Sequence, residues 1–434
     1  MISNLQKAIT SKGRFLPQLD IPGAFPHSPT ISLEETRLVE ELLEKDAASH
    51  HIFYSDKGFH NHLTHMLLAD YSLGASTRRL QEIYEHQEKI QRPKPPKHDD
   101  FKWTEHLGDD KYYADYLDFM IEEIEKLGRV GAVEKYVFEE KNNMLSRFLG
   151  GAYHPYIHTG YGLEFGIDGM VAEGLAQMCV HSDRSKPLCP NETKLSENPS
   201  SKTALELAKE MLEDKRLDGL IKYTDEVKFF AVVDKKPEVV LEYVENWSLS
   251  LDKEKLLEKA SELMVLAAAV YGGPQRPNKE IVFDFFLMHA LTSSIFLPTF
   301  VQHIDPELSV RFLQAKFAVD LGRTISQGRP KLHLEQFTSS KAEFTKSWRE
   351  IFELAVNHRD EHLPKAIRAL KQVERWDPKE TLGKGVYRKM ASMTVESIIA
   401  EDEEEKDGKR FWNSEGIGFD ETWAKIPVRK PVEL

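Results

Sequence analysis

Apolar residues recur along most of the chain at spacings of three and four, the period of a helix with one buried face. The clearest case is Ser32–Ala47, where Leu38, Leu42 and Leu43 follow a Ser-x-x-Glu capping-box pattern. Period-two alternation, the mark of a strand, is almost absent, and the one candidate strand, Lys228–Val233, cannot make a sheet alone. The pattern therefore predicts about ten helices and an all-α fold.

Further helices are predicted wherever the same spacing returns. They are Thr77–Gln87, Tyr112–Leu127, Val133–Leu149, Ala204–Glu213, Lys253–Tyr271, Pro306–Gly322 and Lys341–His358. Turn-rich or proline-rich stretches separate them and are interpreted as loops, at Gln91–Asp110, Ser182–Lys202 and Gly328–Ser340. We expect residues 1–30 to form an extended N-terminal segment and residues 31–434 to form a single large, irregular helical domain with a central histidine-lined site.

Several histidines fall in or beside predicted loops, and we expect them to be exposed to solvent without a role in a site. They are His50, His51, His86, His98 and His106. The acidic run Glu401–Glu405 is likewise interpreted as a solvated surface segment. The aromatic closing segment FWNSEGIGFDETWAKIP is expected to pack back against the rest of the chain.

Composition and charge narrow the class of protein. The 434 residues are 41% hydrophobic, which is enough for a large core. The net charge is −13 and no basic stripe with interleaved aromatic residues occurs, which argues against binding to nucleic acid or to an anionic membrane. No uninterrupted apolar run reaches the roughly 18 residues of a membrane helix, and the N-terminus lacks the apolar core of a secretory signal. With two cysteines, Cys179 and Cys189, the sequence predicts a soluble cytoplasmic protein.

Histidine recurs in four apolar segments, and this repetition is the strongest chemical signal in the chain. The segments are Phe59–Ala75 with His60, His62 and His65, Gly150–Gly166 with His154 and His158, Val282–Pro298 with His289, and Arg359–Leu370 with His362 and Lys365. Spacings of three and four place residues on one helix face. A buried imidazole needs a hydrogen-bond partner or a metal for each ring nitrogen. Two interpretations stay open, namely core histidines that satisfy one another and ligands of a metal centre.

The glycines of the second segment do not form a dinucleotide-binding motif. Gly160, Gly162 and Gly166 have the spacing GxGxxxG, and no strand-like run precedes them. A flavin or nicotinamide enzyme of the conventional kind needs GxGxxG between a strand and a helix. The sequence is therefore evidence against a metal-free, NADPH-assisted monooxygenase, which is kept as an alternative.

At the four histidine segments the sequence resembles the questin oxidase-like family of fungal and bacterial proteins. The matching motifs are the Asn-His of FHNHLTHMLLADYSLGA, the Ile-His-x-Gly-Tyr of HPYIHTGYGLEF, the Met-His-x-x-Thr of FLMHALTSSIFLP and the His-x-x-Lys of DEHLPKAIRAL, which run in this order from residue 59 to residue 370. The resemblance implies an all-α oxygenase of fungal secondary metabolism. Such an enzyme opens the central ring of an anthraquinone-type aromatic polyketide with O2, by Baeyer–Villiger-like or dioxygenase cleavage.

The resemblance also implies a non-haem iron (Fe2+) centre, with NADPH left open as a reductant. Its ligands in this chain would be His62, His158, His289, His362 and a carbamylated (carboxylated) Lys365. A free lysine is an ammonium at neutral pH and cannot bind a cation, whereas a carbamate offers an anionic oxygen.

The remaining histidines and one tyrosine are assigned more loosely. His60, His65 and His154 are kept as neighbours of the ligands or contacts of the substrate, and Tyr161 is either a hydrogen-bond partner of a substrate oxygen or a core tyrosine. A non-catalytic helical binding protein is the alternative from another class. The exact substrate and the oligomeric state are left open by the sequence.

Overall fold

The computed structural model describes residues 13–190, 192, 195, 200–337, 344–404 and 412–429. In this part of the chain the regular structure is helical, and extended segments pair only at isolated β-bridges such as Phe53 with His60. The all-α prediction is confirmed. The predicted N-terminal segment lies outside the described residues up to residue 12, and from residue 13 the chain runs through turns without a helix until Leu33.

The α-helices are numbered in chain order. They are α1 (Leu33–Ser49), α2 (Leu63–Leu73), α3 (Thr77–Gln87), α4 (Tyr113–Val137), α5 (Met144–Phe148), α6 (Gly150–Glu164), α7 (Asp168–Val180), α8 (Ala204–Leu212), α9 (Lys228–Lys235), α10 (Pro237–Glu245), α11 (Lys253–Gly272), α12 (Phe285–Ser294), α13 (Leu297–His303), α14 (Pro306–Ser326), α15 (Trp348–Asn357), α16 (Leu363–Trp376), α17 (Val386–Glu404) and α18 (Asp420–Lys425). The chain forms two compact units, a first unit of Met1–Asp183 with Pro298–Asp305 and a second unit of Arg184–Leu297 with Pro306–Leu434. The single domain predicted for residues 31–434 stays a prediction.

The first unit is built around α7, which packs against α4 and α6. Every residue of α7 from Gly169 to Val180 is buried. Helices α6 and α7 approach so closely that a Cβ at Gly174 would come within 2.2 Å of Thr159 Oγ1, and glycine is therefore required at this position. The close approach sets Glu173 of α7 against His158 of α6.

The second unit is organised around α12, which packs against α11 and α16, while α16 packs against α17. Asp284 caps α12 by accepting hydrogen bonds from the backbone N–H groups of Phe286 and Leu287 at 2.9 and 3.0 Å. Helix α16 carries Pro364 in its first turn, where the missing N–H of proline has no helical partner to lose. The packing of α12 on α16 brings together the two histidine segments of this unit.

Several helix predictions are confirmed. Helix α1 has the predicted capping box, in which Ser32 and Glu35 bond to each other's backbone N–H groups. The predicted stretches Thr77–Gln87, Ala204–Glu213, Lys253–Tyr271 and Pro306–Gly322 match α3, α8, α11 and α14 closely. Lys341–His358 is helical only from Trp348, and residues 341–343 lie outside the described part of the chain.

Two other predictions, one of a strand and one of a helix, are wrong. Lys228–Val233 belongs to helix α9, because Phe229, Val232 and Val233 lie at helical spacing and are all buried on one face. Val133–Leu149 is not one helix, since α4 ends at Val137 and α5 starts only after a left-handed residue, Asn143 with φ 54°.

The third histidine segment is also interrupted, between α12 and α13. Helices α7, α10 and α17 were not predicted from the apolar spacing. The stretch from Phe285 to His303 is apolar and long enough to cross a membrane by composition. However, 83% of the 18-residue apolar stretch within it is buried inside the protein, as in the core helix of a globular protein. It therefore gives no support to a membrane span.

The exposure predicted for the loop histidines is confirmed for His86 and wrong for His51. The imidazole of His51 is fully buried, bonds to the Asp110 carbonyl O at 2.9 Å and accepts from the Phe53 N–H at 2.9 Å, and burial lowers the pKa of His51. The loop buries it against the ring of Tyr113. His50, His98 and His106 are half-buried.

The closing segment packs back on the second unit as predicted, with Trp412, Ile417 and Trp423 buried. Gln91–Asp110 contains no α-helix, as predicted. We predicted that the acidic run Glu401–Glu405 is solvated. Its side chains lie outside the described part of the structure, so this stays a prediction.

Candidate metal centre

In the first unit, His62 is held at the start of α2 by its neighbour Asn61. The Asn61 Oδ1 accepts from the Leu63 N–H at 2.9 Å, and its Nδ2 donates to the Asp46 carboxylate at 3.0 Å. Asn61 and Asp46 are both buried. The Asn-His motif thus has a structural reason, because the asparagine fixes the backbone that carries His62.

The imidazoles of His62 and His154 face each other within this unit. His62 Nδ1 bonds to the His60 carbonyl O at 2.7 Å, and His154 Nδ1 bonds to the Gly151 carbonyl O at 2.6 Å. A carbonyl oxygen only accepts, so both Nδ1 atoms carry a proton. The two Nε2 atoms lie 2.9 Å apart. In the neutral rings both Nε2 atoms then carry the lone pair, and they lie within hydrogen-bond distance of each other.

An irregular turn opens helix α6 and sets the position of His154. Gly151, Ala152 and Tyr153 have φ values of 53°, 53° and 68°, and each non-glycine residue in this region costs about 1–2 kcal/mol. A Cβ at Gly151 would lie 2.4 Å from Cε1 of His181. The turn aims the Gly151 carbonyl at His154, so a strained backbone orients a candidate ligand.

His158 lies one turn further along α6 and has partners at both ring nitrogens. Its Nε2 lies 3.2 Å from Glu173 Oε2, and its Nδ1 lies 3.0 Å from His65 Nε2. All three side chains are buried. Burial raises the pKa of Glu173, and the hydrogen bond from His158 opposes this rise. The result is a continuous buried chain of hydrogen bonds from Glu173 through His158 to His65.

The ring of Tyr161 is buried and stacks on His65, with centroids 5.2 Å apart. A second histidine pair joins His60 Nε2 to His181 Nε2 at 2.9 Å. Burial lowers the pKa of His181 to about 4, and the charge of Arg147 acts in the same direction. His181 is therefore neutral at physiological pH.

In the second unit, His289 is oriented by its own helix. Its Nδ1 donates to the Phe285 carbonyl O at 2.7 Å, which leaves Nε2 as the lone-pair nitrogen of the neutral ring. His289 is fully buried, and burial, followed by the nearby His362 and Lys365, holds its pKa well below the usual value. The rings of His289 and His362 have centroids 5.1 Å apart, and Phe285 lies against both.

Asp360 fixes the segment that carries His362. Its carboxylate accepts from the backbone N–H groups of His362 and Leu363 at 3.0 and 2.8 Å and from Trp412 Nε1 at 3.1 Å. Burial alone would raise the pKa of Asp360, but the hydrogen bonds from His362 and Trp412 bring it below the usual value. His362 Nδ1 lies 3.6 Å from the Glu361 carboxylate, so the acidic groups are on the Nδ1 side of the ring.

Lys365 follows His362 by one helical turn and is 4% exposed. Burial lowers the pKa of Lys365 to about 8, although Glu361 and Asp360 act to raise it. A substantial fraction of this amine is therefore neutral near physiological pH, whereas an exposed lysine is almost entirely protonated. Only a neutral amine can add CO2, so the site meets the chemical requirement for a carbamate.

Within each unit the structure brings predicted residues together, and the full ligand set stays a prediction. His62 meets His154, His65 meets His158, and His289 meets His362. Sequence reasoning does not find Glu173, although a lone carboxylate in the apolar run MVAEGLAQMCV is a recognisable signal of a buried acid. Asp360 and Trp412 are also missed, because their bond joins residues far apart in sequence.

Comparison with known proteins identifies the family to which the chain belongs. A family model described as "Questin oxidase-like" matches residues 59–370. The chain belongs to the questin oxidase-like family. This questin oxidase-like protein is 31% identical to a Baeyer–Villiger oxidase of Pestalotiopsis microspora, over 80% of this chain and 83% of that protein. It is 28% identical to a Baeyer–Villiger oxidase of Pestalotiopsis fici (92% and 94%) and 27% identical to the questin oxidase of Aspergillus fumigatus (97% and 100%). Membership of this family makes the chain an oxidoreductase, as predicted.

Proposed function

We propose that this protein is a non-haem iron oxygenase that uses O2 to open the central ring of an anthraquinone-type aromatic polyketide in fungal secondary metabolism. Relatives over most of its length are named questin oxidase and Baeyer–Villiger oxidase, which supports ring-opening oxidation. The iron requirement is implied by the family resemblance, and the chemistry of the buried histidines supports it.

One observation carries the metal proposal. His62, His154 and His289 each bond a backbone carbonyl through Nδ1. Metal-binding histidines almost always donate their other ring N–H in this way, because the bond fixes both the tautomer and the ring orientation. In each of these three rings the bond leaves Nε2 as the nitrogen that carries the lone pair when the ring is neutral. The side chains present therefore fit a metal bound through Nε2.

We propose that the protein ligands are those implied by the family resemblance. They are His62, His289, His362, a carbamylated Lys365 and one histidine of α6, for which the resemblance implies His158. The lowered pKa of Lys365 supports the carbamate, since it makes the neutral amine available. Bound iron would supply the one-electron chemistry that O2 activation needs.

The second unit also places aromatic rings next to the candidate ligands, which suits a polycyclic aromatic substrate bound nearby. The ring of Phe285 lies 4.5 Å from that of His289, and the ring of Trp412 lies 6.2 Å from that of His362, centroid to centroid. In the first unit, His65 and Tyr161 form a buried stacked pair, and we keep the Tyr161 hydroxyl as a candidate contact of a substrate oxygen.

Elemental analysis of protein purified without chelators tests the metal proposal, with about one iron per chain expected. Turnover of questin or a related hydroxyanthraquinone should stop on complete chelation and return with Fe2+. Stoichiometric zinc with full activity, or turnover that survives metal removal, contradicts the proposal. Turnover that survives removal but requires NADPH supports the metal-free alternative, and tight binding without product supports the binding protein. Labelled O2 then separates the outcomes, because a monooxygenase places one labelled atom in the product and a dioxygenase places two.

We also propose a cytoplasmic location. Cys179 and Cys189 are both free, buried thiols. Burial raises the pKa of both, so they are inert thiols suited to a reducing compartment. A fluorescent fusion expressed in a filamentous fungus tests this location, and a vesicular or secreted signal would contradict it.

A further inference from the structure

We infer that the second unit holds a binding site for a small organic ammonium ion, remote from the candidate metal ligands of that unit. The site is a cavity of about 450 Å³ lined by α11, the start of α8 and the loop after α16. Trp376 of its wall ends α16, eleven residues after Lys365, and a helix of that length spans about 16 Å. The inference does not depend on the proposed function, because neither the metal nor the ring-opening reaction enters it.

The cavity has the size and the wall of a small-molecule pocket. Such pockets usually measure about 300–1,000 Å³ and are lined mainly by apolar side chains. Here Leu205 and Val265 are buried in the wall, and Leu257 and the ring of Trp376 line it with part of their surface exposed. A ligand that fills this space therefore needs an apolar body.

The charge of the lining favours a cation. Its charged side chains are four carboxylates and one ammonium, namely Glu254, Glu258, Glu262, Asp377 and Lys379. Lys259 Nζ bonds Glu262 Oε1 at 2.8 Å, but no lysine or arginine within the described part of the chain forms an ion pair with Glu254 or Glu258. Both of these glutamates are exposed, so the cavity opens to solvent beside two uncompensated carboxylates. Their negative field attracts a cationic ligand and repels an anionic one.

An anionic ligand is the alternative, because the N-terminus of α8 and the ammonium of Lys379 also line the cavity. Free N–H groups at the start of a helix attract anions. In α8, however, the Ala204 N–H already donates to Glu262 Oε2 at 3.1 Å, and the Glu206 N–H donates to the Thr203 hydroxyl at 3.3 Å. Lys379 is exposed and is outnumbered by the carboxylates. The lining therefore suits a cation better than an anion.

Trp376 supplies an aromatic face for the cation. The face of an indole attracts an ammonium more strongly than the ring of Phe or Tyr does. Its Nε1 is buried and has no acceptor among the described residues, so no hydrogen bond ties the ring to one orientation. The backbone that carries the ring is fixed, because the Ser261 hydroxyl donates to the Trp376 carbonyl O at 2.6 Å and the Asp377 carboxylate accepts from the Thr381 N–H at 2.7 Å. The ring can thus turn towards a ligand while the chain stays in place.

Three probes of similar shape separate the effect of charge from that of apolar contact. They are 3-phenylpropylamine, 3-phenylpropanol and 3-phenylpropionate, which are cationic, neutral and anionic at pH 7. Ligand-observed NMR titration of the full-length protein measures their affinities. For the amine we expect saturable binding with a Kd below about 5 mM, since a ligand of about ten heavy atoms is a weak binder. The alcohol and the carboxylate should bind at least about 5-fold more weakly.

Variants assign the binding to this cavity. Glu258→Gln should weaken binding of the amine by about 3-fold and leave that of the alcohol unchanged. Trp376→Leu should reduce the advantage of the amine over the alcohol, because it removes the aromatic face. The control is Glu226→Gln, which changes the net charge equally at an exposed residue outside the lining and should leave all affinities unchanged.

Three results overturn the inference. They are an amine that shows no saturation by about 20 mM, an amine that binds no more tightly than the carboxylate, and an amine that binds Glu258→Gln and wild type equally. The comparison of Glu258→Gln with Glu226→Gln decides alone if Trp376→Leu does not fold, since both glutamates are exposed. Turnover and iron content do not enter the test, so its failure leaves the proposed function standing.

Discussion

Replacing Lys365 by methionine tests the electrostatics of the candidate metal centre without any metal present. The side chain is 4% exposed, and burial lowers its pKa from 10.5 to about 8. This difference corresponds to about 3 kcal/mol of destabilisation from burying the ammonium. Methionine has a similar length and no charge. We therefore expect metal-free Lys365→Met protein to be more stable than wild type by about 3 kcal/mol near pH 7.

The pH dependence of this effect has a definite sign. Between pH 8 and 10.5 the unfolded wild-type chain holds a proton at Lys365 that the folded chain has released, so wild-type stability rises with pH. The cost of burial is complete below pH 8 and disappears as the pH approaches 10.5. The advantage of the variant should shrink by about 2 kcal/mol between about pH 7.5 and about pH 9.5. Urea unfolding of chelator-treated protein in CO2-free buffer measures it.

Lys316 provides a control with the opposite sign. Its ammonium is also buried, but it bonds both oxygens of the Asp320 carboxylate, at 2.6 and 2.7 Å. Lys316→Met removes the counter-charge of a buried carboxylate and should destabilise the protein by about 3–5 kcal/mol. If methionine were simply tolerated in the core, both substitutions would change the free energy of unfolding in the same direction.

The stability gain at Lys365 should come with a loss of function. Methionine cannot form a carbamate, so iron content and turnover should fall while the free energy of unfolding rises. Buried functional groups often lower the stability of the protein that uses them. A Lys365→Met protein that is no more stable than wild type, or whose advantage does not change with pH, would refute the reasoning about the buried ammonium.

Three further predictions concern other parts of the candidate centre. His289→Ala should lower iron content to less than about a tenth of wild type and abolish turnover, whereas alanine at the exposed His86 should change neither; elemental analysis of both proteins checks this. Gly151→Ala should destabilise the protein by more than about 1 kcal/mol and weaken metal binding, because the new Cβ would lie 2.4 Å from His181 in a left-handed backbone; an unchanged thermal midpoint would contradict it. Asp360→Ala removes an acceptor of three buried N–H groups and should cost about 2–4 kcal/mol in urea unfolding, and a loss below about 1 kcal/mol would count against its structural role.

Local features of the sequence determine much of this protein. The helical period predicts the all-α fold, because one buried face per helix is a property of a single segment. The capping box at Ser32 acts within a few residues, and this prediction is confirmed. Pro364 in the first turn of α16 is a local feature of the same kind. The sequence also identifies the four segments that carry histidine, since imidazole in an apolar run needs a partner whatever the fold.

The tertiary structure decides which partner each imidazole receives. His154 and His158 lie on the same helix, four residues apart; their spacing favours neither as a ligand, and only the family resemblance implies His158. The left-handed turn at residues 151–153 gives His154 a carbonyl partner and directs its Nε2 to His62, while the close packing of α7 gives His158 a carboxylate. His51 is a second example. Its position in a loop predicts an exposed side chain, but the packing of distant residues around it buries the ring. The hydrogen bonds of a ring nitrogen depend on groups distant in sequence and on backbone angles, which no local pattern encodes.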